Sequence, residues 1–458
     1  MNHRIAMIVL LMLCVGIGLV NVFLTPPFMN PDEIQHFMFS ANYAYAGDQA
    51  RLKDLDARVL QLLKDYQWFH FIGLGPGWEN IENLKDVFFL NYFSMEKYTI
   101  SKSYFHLIYG RVLRLTGIRD PLTAFYFLRL LSFVIYLAIF ILSFFFYKKY
   151  FPAHWYYLLA SQLLIYQLGT ILNSVNYDVL LTLLGVLFFI FAYRFMNENF
   201  ATRAASFFSS RPFAFFAAIF LVLISALASL VKTGGVLFFL YFFILLLFKY
   251  GVNRKSLKWL FLGFFLFVIV FSWFNYWFPG RFFKLYGLIF LKLRAITGVA
   301  AAGDSGAAAN IGFFDSIVDS FYFYTGWMGF KLSGAWYWVL KFFLLTAIIG
   351  VIATVIRKKT AGKRWLVYVL VLIVVQSLAI RFYYGAGLMA QGRYLYPLVL
   401  PIIMMIYSGL NSMEVFLKLK RNYIVISYIL FLVLFFVMAL SRVLSVFYLE
   451  VASPHLGL

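Results

Sequence analysis

The sequence predicts an all-α protein that lies in a membrane and crosses it with about eleven helices. Hydrophobic residues make up 64% of the 458 positions, whereas charged residues make up 12%. A water-soluble domain cannot bury an apolar fraction of this size. Apolar runs of about 20 residues recur along the chain, and this length is typical of membrane-spanning helices rather than of barrel strands.

The predicted spans begin close to the N-terminus. The first covers 5–24 and follows the short basic segment His3-Arg4. We expect it to be a retained anchor with a cytoplasmic N-terminus, because it is long for a signal peptide and no small-residue cleavage site precedes Thr25. The remaining spans are 124–147, 154–173, 177–195, 212–231, 235–249, 259–278, 335–356, 365–380, 394–411 and 423–441. Together they make residues 1–458 a single polytopic domain in the cell membrane.

The charge pattern predicts the orientation of these spans. The chain has 39 Lys and Arg against 18 Asp and Glu, which gives a formal net charge of +21. Basic residues are concentrated in the short loops that a cytoplasmic N-terminus places in the cytoplasm, as the positive-inside rule requires. This topology, together with anionic lipids and phosphate ligands, accounts for the positive charge, so we expect no nucleic-acid partner.

Two long segments, 25–123 and 279–334, are predicted to lie on the extracytoplasmic side. Long ordered loops of compact membrane proteins commonly carry function. Within the first segment we expect two helices at the membrane interface, one beginning at Pro31 and the other covering Ser103–Arg119.

The second of these interfacial helices has a predicted apolar face. It is formed at near-helical spacing by Tyr104, Phe105, Ile108, Val112 and Leu115. On the other side of the helix, Arg111 and Arg114 are expected to face water or lipid headgroups.

The segment Asn30–Phe37, directly after the first span, is the first candidate for chemistry. Helix-start chemistry alone could explain it, since Asn30 suits an N-cap and acidic residues favour the first turn. The functional interpretation is that Asp32 and His36 share a helix face and that a carboxylate there accepts a proton from a hydroxyl. Glu33 is the second candidate carboxylate. No cofactor is required, although Asp32, Glu33, His36 and Asp178 could bind a divalent cation.

Two further charged residues follow on the same predicted side. Asp178 lies between the third and fourth spans, either as a helix cap in a polar turn or as a second carboxylate of one cavity. Lys232 ends the fifth span beside two glycines. Its side chain could extend to the interface, or it could offer a cation to a phosphate group.

The start of the tenth span carries a third group of candidates. Gln391, Arg393 and Tyr394 open this span, and Arg381 lies across the preceding loop. Arginine and tyrosine are common interface anchors. Arginine also matches phosphate oxygens with two parallel hydrogen bonds, which would suit a lipid-phosphate leaving group.

Together these motifs resemble a known family. Pro31-Asp32-Glu33-x-x-His36-Phe37 resembles the signature of a bacterial membrane family that is placed with the GT-C glycosyltransferases. The resemblance extends over most of the chain, in the expected order, to Arg129-Leu-Leu-Ser132, Asn176-x-Asp178, Ser320–Gly329 and Gln391-Gly-Arg-Tyr-x-x-Pro397.

The resemblance implies an activity. GT-C enzymes transfer a sugar from a polyprenyl-phosphate carrier on the non-cytoplasmic face, with an acidic residue of the first outer loop as base. That role would fall on Asp32, with Glu33 next and His36 orienting the base or contacting the sugar. Residues that would stabilise the lipid phosphate are Lys232, Arg381 and Arg393. The expected partners are the lipid-linked donor, membrane lipids, and a glycan, lipid or protein acceptor of the cell envelope.

Three other functions remain open from the sequence. A polymerase or ligase of lipid-linked glycans would depend on the outer arginines and tolerate loss of Asp32. A transporter would need charges near the bilayer midplane and usually internal repeats. A non-catalytic scaffold would lose nothing when Asp32 is changed.

Overall fold

The described part of the chain is predominantly helical. The computed structural model describes residues 3–71, 80–82, 84, 103–197, 211–251, 254–277, 312–324, 330–357, 361–384, 391–419 and 422–449. No strand occurs among them. The predicted all-α class is therefore confirmed. Most of the second predicted loop, 279–311 and 325–329, lies outside the described residues.

The helices are numbered here in chain order. They are α1 (His3–Leu24), α2 (Glu33–Tyr45), α3 (Gln49–Asp65), α4 (Trp68–Phe71), α5 (Tyr104–Thr116), α6 (Pro121–Tyr150), α7 (Trp155–Leu163), α8 (Tyr166–Leu172), α9 (Asp178–Asn197), α10 (Arg211–Val231), α11 (Leu237–Tyr250), α12 (Arg254–Trp277), α13 (Phe313–Tyr322), α14 (Gly334–Arg357), α15 (Ala361–Tyr384), α16 (Val399–Phe416) and α17 (Tyr423–Leu444). Two 3₁₀ segments, Thr233–Val236 and Gly392–Leu398, lead into α11 and α16.

The protein is a multi-pass membrane protein. Within the described ranges, seven helices are long and apolar enough to cross a membrane: His3–Leu24, Pro121–Tyr150, Asp178–Asn197, Gly334–Arg357, Lys363–Phe382, Gly392–Phe416 and Tyr423–Leu449. Shorter apolar stretches at Phe216–Val231, Gly234–Tyr250 and Leu257–Leu266 coincide with the fifth, sixth and seventh predicted spans.

The third predicted span, 154–173, is not one continuous helix. It is divided into α7 and α8, with Ile165 in an extended conformation between them. The side chain of Gln167 at the start of α8 accepts a hydrogen bond from the backbone N–H of Tyr324 at 3.1 Å. The break thus places a polar side chain against the non-helical segment that follows α13.

Helix α5 packs on α2, and this contact buries one face of α5. Two residues of the predicted apolar stripe remain exposed, Ile108 at 43% and Leu115 at 87%. The buried residues of α5 are Phe105, His106, Tyr109, Gly110 and Leu113. A Cβ on Gly110 would lie 2.5 Å from the carbonyl oxygen of Ser40, so only glycine permits this close crossing. Arg111 and Arg114 are exposed, as predicted.

Several helix ends meet at one end of the bundle. The segment after α1 leads into α2, while α9 begins at Asp178 and α10 ends at Val231. The 3₁₀ segment Gly392–Leu398 packs among α9, α13 and α15. This meeting of termini brings together residues that are hundreds of positions apart in the chain.

Candidate functional site

Four charged side chains form an alternating series at this end of the bundle. Lys232 Nζ lies 2.8 Å from Asp178 Oδ1, and Asp178 Oδ2 lies 3.9 Å from Arg393 Nε. Arg393 Nη2 in turn forms an ion pair with Asp32 Oδ2. We call Asp32, Arg393, Asp178 and Lys232 the four-charge chain. Its formal charges sum to zero, which is how a membrane protein can hold so many ionised groups in one buried place.

The four-charge chain is open to solvent at one end. The Asp32 side chain is 25% exposed, whereas those of Asp178 and Arg393 are 3% and 4% exposed. Lys232 is enclosed by aromatic rings, since its Nζ lies 4.3 Å from the ring centre of Tyr177 and 4.5 Å from that of Tyr394. Lys232 therefore points into the cluster rather than outward, and the accessible carboxylate is that of Asp32.

Asn176 connects the backbone before Asp32 to the backbone of Asp178. Its Nδ2 donates to the carbonyl oxygen of Pro31 at 3.1 Å, and its Oδ1 accepts from the backbone N–H of Asp178 at 2.9 Å. Arg393 Nη1 donates to the same Pro31 oxygen at 3.3 Å. The backbone before Asp32 is thus held by one side chain from the α9 start and one from the 3₁₀ segment. This explains the Asn176-x-Asp178 spacing.

The start of α2 differs from the predicted helix start. The helix begins at Glu33 rather than at Pro31, and Asp32 precedes it in a left-handed conformation with φ 62°. No side chain caps the helix, so the assignment of Asn30 as the N-cap is wrong. The physical reason is that the two acidic side chains form ion pairs with arginines, which hold them away from the backbone N–H groups of the first turn.

Glu33 and Arg129 form a buried pair with all of its hydrogen bonds made. Arg129 binds both Glu33 oxygens, with Nε–Oε1 at 2.8 Å and Nη2–Oε2 at 2.7 Å. Both side chains are inaccessible to solvent. The acceptors of the remaining Arg129 N–H groups are the carbonyl oxygens of Val22, Thr25 and Pro26. Glu33 Oε1 also accepts the Val175 N–H at 3.0 Å. This geometry favours a structural role for Glu33, because no accessible lone pair is left for a proton.

Two stacked histidines border the four-charge chain. His36 Nδ1 lies 2.8 Å from His106 Nε2, so one ring donates a hydrogen bond to the other. The ring of Tyr177 packs edge-on against His36 at 4.2 Å. Among the described residues, His36 Nε2 has no hydrogen-bond partner. His106 was not identified from the sequence, and the only available signal was its place on the helix face that is now seen to be buried.

The environment of His36 keeps its ring neutral. Burial lowers the pKa of His36 well below its usual value, and the nearby charges of Arg393 and Lys232 lower the pKa further. A histidine of depressed pKa binds a proton more readily in the unfolded chain than in the folded one. Its contribution to stability is therefore complete above the ordinary pKa near 6.5 and is lost as the pH falls below it.

We therefore expect the protein to become less stable below about pH 6.5, by at most about 1.4 kcal/mol per pH unit for this one group. The measurement is the melting temperature of the detergent-solubilised protein from pH 5 to pH 8, for the wild type and for His36→Gln. The variant should have a flatter profile. An identical pH profile in both proteins would show that His36 does not carry this dependence.

The 3₁₀ segment Gly392–Leu398 presents the last group of predicted residues. The Gly392 N–H donates to Ser320 Oγ at 2.7 Å, and a Cβ at position 392 would lie 2.2 Å from the Ile317 carbonyl oxygen. Glycine is therefore required where this segment crosses α13. Gln391 is buried, and within the described structure its Oε1 has no hydrogen-bond partner. The Tyr394 carbonyl accepts from Gln376 Nε2 at 2.8 Å.

Arg381 is a predicted site residue that the structure places outside the cluster. It lies in the last turn of α15, is exposed, and places its guanidinium 5.5 Å from the ring centre of Phe313. Among the described residues no ion pair connects it to Asp32 or Asp178. Asp32, His36, Asp178, Lys232, Arg393 and Tyr394 do meet, and Glu33 lies behind them with Arg129.

The residues proposed for a divalent cation do not have the arrangement of a metal site. In the described ranges, no group of three or more His, Cys, Asp or Glu side chains could hold a metal ion. Both Glu33 oxygens bind Arg129, and His36 Nδ1 binds His106. The two aspartates are each paired with a cationic side chain. The observed donors therefore do not fit a metal centre.

An apolar cavity of about 130 Å³ lies on the other side of the 3₁₀ segment. Its lining comes from α13, α14, α15, α16 and Leu395 of the 3₁₀ segment itself. The lining residues include Ile317, Phe321, Tyr322, Leu344, Ile348, Ile373, Leu395, Ile402 and Ile406. Since Leu395 lies two positions after Arg393, one short segment separates a charged cluster from an apolar cavity.

Comparison with known proteins found no match, whether against family models, curated proteins or solved structures.

Proposed function

We propose that the protein is an integral-membrane glycosyltransferase that takes a sugar from a polyprenyl-phosphate donor and transfers it, with inversion, to a glycan, lipid or protein acceptor of the cell envelope. One observation carries the proposal. The four-charge chain presents a single accessible carboxylate, that of Asp32, next to buried cationic side chains at the ends of membrane helices. The positive-inside pattern supports an extracytoplasmic position for this end.

The accessible carboxylate supplies the base. An acceptor hydroxyl gives its proton to Asp32 as its oxygen attacks the anomeric carbon of the donor sugar. The bond from that carbon to the phosphate oxygen breaks, and the electron pair leaves with the polyprenyl phosphate. Attack from the side opposite the phosphate inverts the configuration of the anomeric carbon. His36, in the first turn of α2, borders the site, and its backbone N–H donates to the Asp32 carbonyl oxygen at 3.1 Å, so it positions the base rather than taking the proton.

The cationic side chains bind the phosphate. Arg393 has an Nε–H group without a partner in the described structure, and Lys232 lies in the same cluster. Preorganised cations stabilise the charge that develops on a departing phosphate. The aromatic rings of Tyr177 and Tyr394, which enclose Lys232, limit access of water to the leaving group.

The apolar cavity suits the lipid part of the donor. It is lined by aliphatic and aromatic side chains and lies on the far side of the segment that holds Arg393. A polyprenyl chain in this cavity would place its phosphate toward the four-charge chain. A nucleotide-sugar donor would need polar contacts for its base and ribose, which this cavity lining does not provide.

The first test is sugar transfer by the purified protein from undecaprenyl-phosphate-linked hexoses and pentoses. We expect Asp32→Asn to lower the transfer rate by about 100-fold or more, because the amide cannot accept the proton. The matched control is Asp315→Asn, which removes a carboxylate that is 58% exposed and paired with Lys341 on α14. Equal activity of Asp32→Asn and the wild type would contradict this proposal and favour a polymerase or ligase that uses the cationic residues alone.

A second test concerns the cavity. Ile348 lines it and is 44% exposed, so Ile348→Trp should fill the cavity at small cost to the fold. We expect the apparent KM for an undecaprenyl-linked donor to rise about tenfold, with a smaller rise for a farnesyl-linked donor, which occupies less of the cavity. Ile349→Trp is the matched control, because Ile349 is similarly exposed, at 46%, and is not among the residues that line the cavity. The cavity has no part in donor binding if both variants behave like the wild type.

A further inference from the structure

Arg129 and Arg393 both bind an acidic residue near the start of α2. They differ in how many of their N–H groups have a hydrogen-bond acceptor. Arg129 has acceptors for its Nε, Nη1 and Nη2 groups, five contacts in all. Arg393 donates from Nη1 to the Pro31 carbonyl and from Nη2 to Asp32. Among the described residues its Nε–H has no partner, and the nearest carboxylate, Asp178, is 3.9 Å away, beyond hydrogen-bond distance. Arg393 is thus buried with one N–H group that has no acceptor in the described structure.

The charge balance of the site changes when a phosphate enters. Without a ligand, two carboxylates face two cations, and each carboxylate has a cationic partner. A lipid phosphate adds negative charge and competes with the carboxylates for the same N–H groups. Asp178 is 3% exposed and is held by Lys232 and by the Asn176 contact to its backbone, whereas Asp32 is 25% exposed and can be solvated. Displacing the Asp32 carboxylate from its ion pair therefore costs less free energy than displacing that of Asp178.

On this basis we propose that Arg393 holds Asp32 in an inactive ion pair until the phosphate of the donor takes its place. This inference rests on the proposed function and adds an order of events to it. When Arg393 turns to the phosphate, its Nη2 group leaves the Asp32 carboxylate, and the freed oxygen can accept the hydrogen bond of the acceptor hydroxyl. The base thus becomes competent only when the donor is present, and the donor binds before the acceptor hydroxyl is deprotonated. This order prevents the site from activating an acceptor, or water, when no sugar is available.

The inference is tested by binding, which separates its failure from that of the transferase proposal. The probe is farnesyl phosphate, which has a lipid phosphate but no sugar, titrated onto the detergent-solubilised full chain by microscale thermophoresis or calorimetry. Asp32→Asn should bind it about tenfold more tightly than the wild type, because Arg393 no longer has to leave a carboxylate. The same variant is expected to be inactive in transfer, so that one substitution tightens product binding while it abolishes the reaction.

A second variant keeps the test informative if the first has local effects. Asp32→Gly also removes the carboxylate, and glycine, like asparagine, accepts the left-handed backbone at position 32. Both variants should gain affinity, whereas Asp315→Asn, which removes an equal charge from the separate ion pair with Lys341, should bind like the wild type. The inference is overturned if both position-32 variants bind farnesyl phosphate no more tightly than the wild type while they retain its melting behaviour. Gains in all three variants would attribute the effect to net charge and would overturn it as well.

Discussion

Replacing Arg129 with methionine should lower the free energy of unfolding by about 3–5 kcal/mol, because it leaves the Glu33 carboxylate buried without a counter-ion. Three carbonyl oxygens, those of Val22, Thr25 and Pro26, lose their donor in the same substitution. These carbonyls connect the end of α1 to α6, so the segment that carries Asp32 should lose its position. The measurement is the melting temperature and the monodispersity of the detergent-solubilised variant.

The control for this prediction is Arg114→Met, which removes an exposed arginine from α5 and should leave the melting temperature nearly unchanged. The double variant Arg129→Met with Glu33→Gln removes both charges and should recover part of the lost stability, because the isolated buried charge is gone. A single variant as stable as the wild type would mean that the pair does not hold this end of the bundle. Glu33 would then return as a candidate base.

Replacing Arg393 with lysine should reduce sugar transfer by about 100-fold or more, although the charge is kept. The planar guanidinium binds the Pro31 carbonyl oxygen and the Asp32 carboxylate, and its Nε lies 3.9 Å from Asp178 Oδ2. An ammonium group is a single point and cannot span these three positions. It also cannot bind two phosphate oxygens in parallel. The measurement is kcat/KM with an undecaprenyl-linked donor.

The comparison variant for Arg393→Lys is Arg114→Lys on α5, which should transfer sugar at the wild-type rate. Arg381→Lys tests a separate point. The sequence predicts that Arg381 and Arg393 bind the same phosphate, whereas the structure places Arg381 beside Phe313. An effect of Arg381→Lys as large as that of Arg393→Lys would show that Arg381 approaches the donor during the reaction. A wild-type rate for Arg393→Lys would contradict its role in binding the leaving group.

Hydropathy predicted the helices well because the length of an apolar run is a local property. Each predicted span has at least one helix in the structure, and seven described helices meet the length and composition of a membrane span. The faces and breaks of these helices depend on partners that a single segment does not reveal. The apolar spacing of α5 groups Ile108 with Phe105, yet Ile108 is exposed, because the buried face of α5 follows from the close crossing at Gly110. The break before α8 likewise depends on a contact with Tyr324.

The sequence predicted which charged residues lie at the site but not which of them contact one another. Scarce charges at predicted helix ends indicated Asp32, Asp178, Lys232 and Arg393, and these four do meet. The pairing of Glu33 with Arg129 could not be predicted, because two adjacent carboxylates give no sequence signal for which arginine each one contacts. His106 was missed for a related reason, since its partner His36 is 70 positions away.

The left-handed backbone at Asp32 limits what natural variation can place there. Outside glycine, this conformation is adopted readily only by asparagine and aspartate, whose short polar side chains bond locally. Asparagine and glycine keep the fold and remove the carboxylate, while glutamate keeps a carboxylate and strains the backbone. If the proposed function holds, a paralogue that has lost sugar transfer but kept its fold should therefore carry Asn or Gly at this position. Under the same proposal, such a paralogue would still bind a lipid phosphate, and this one substitution would distinguish it from an active transferase.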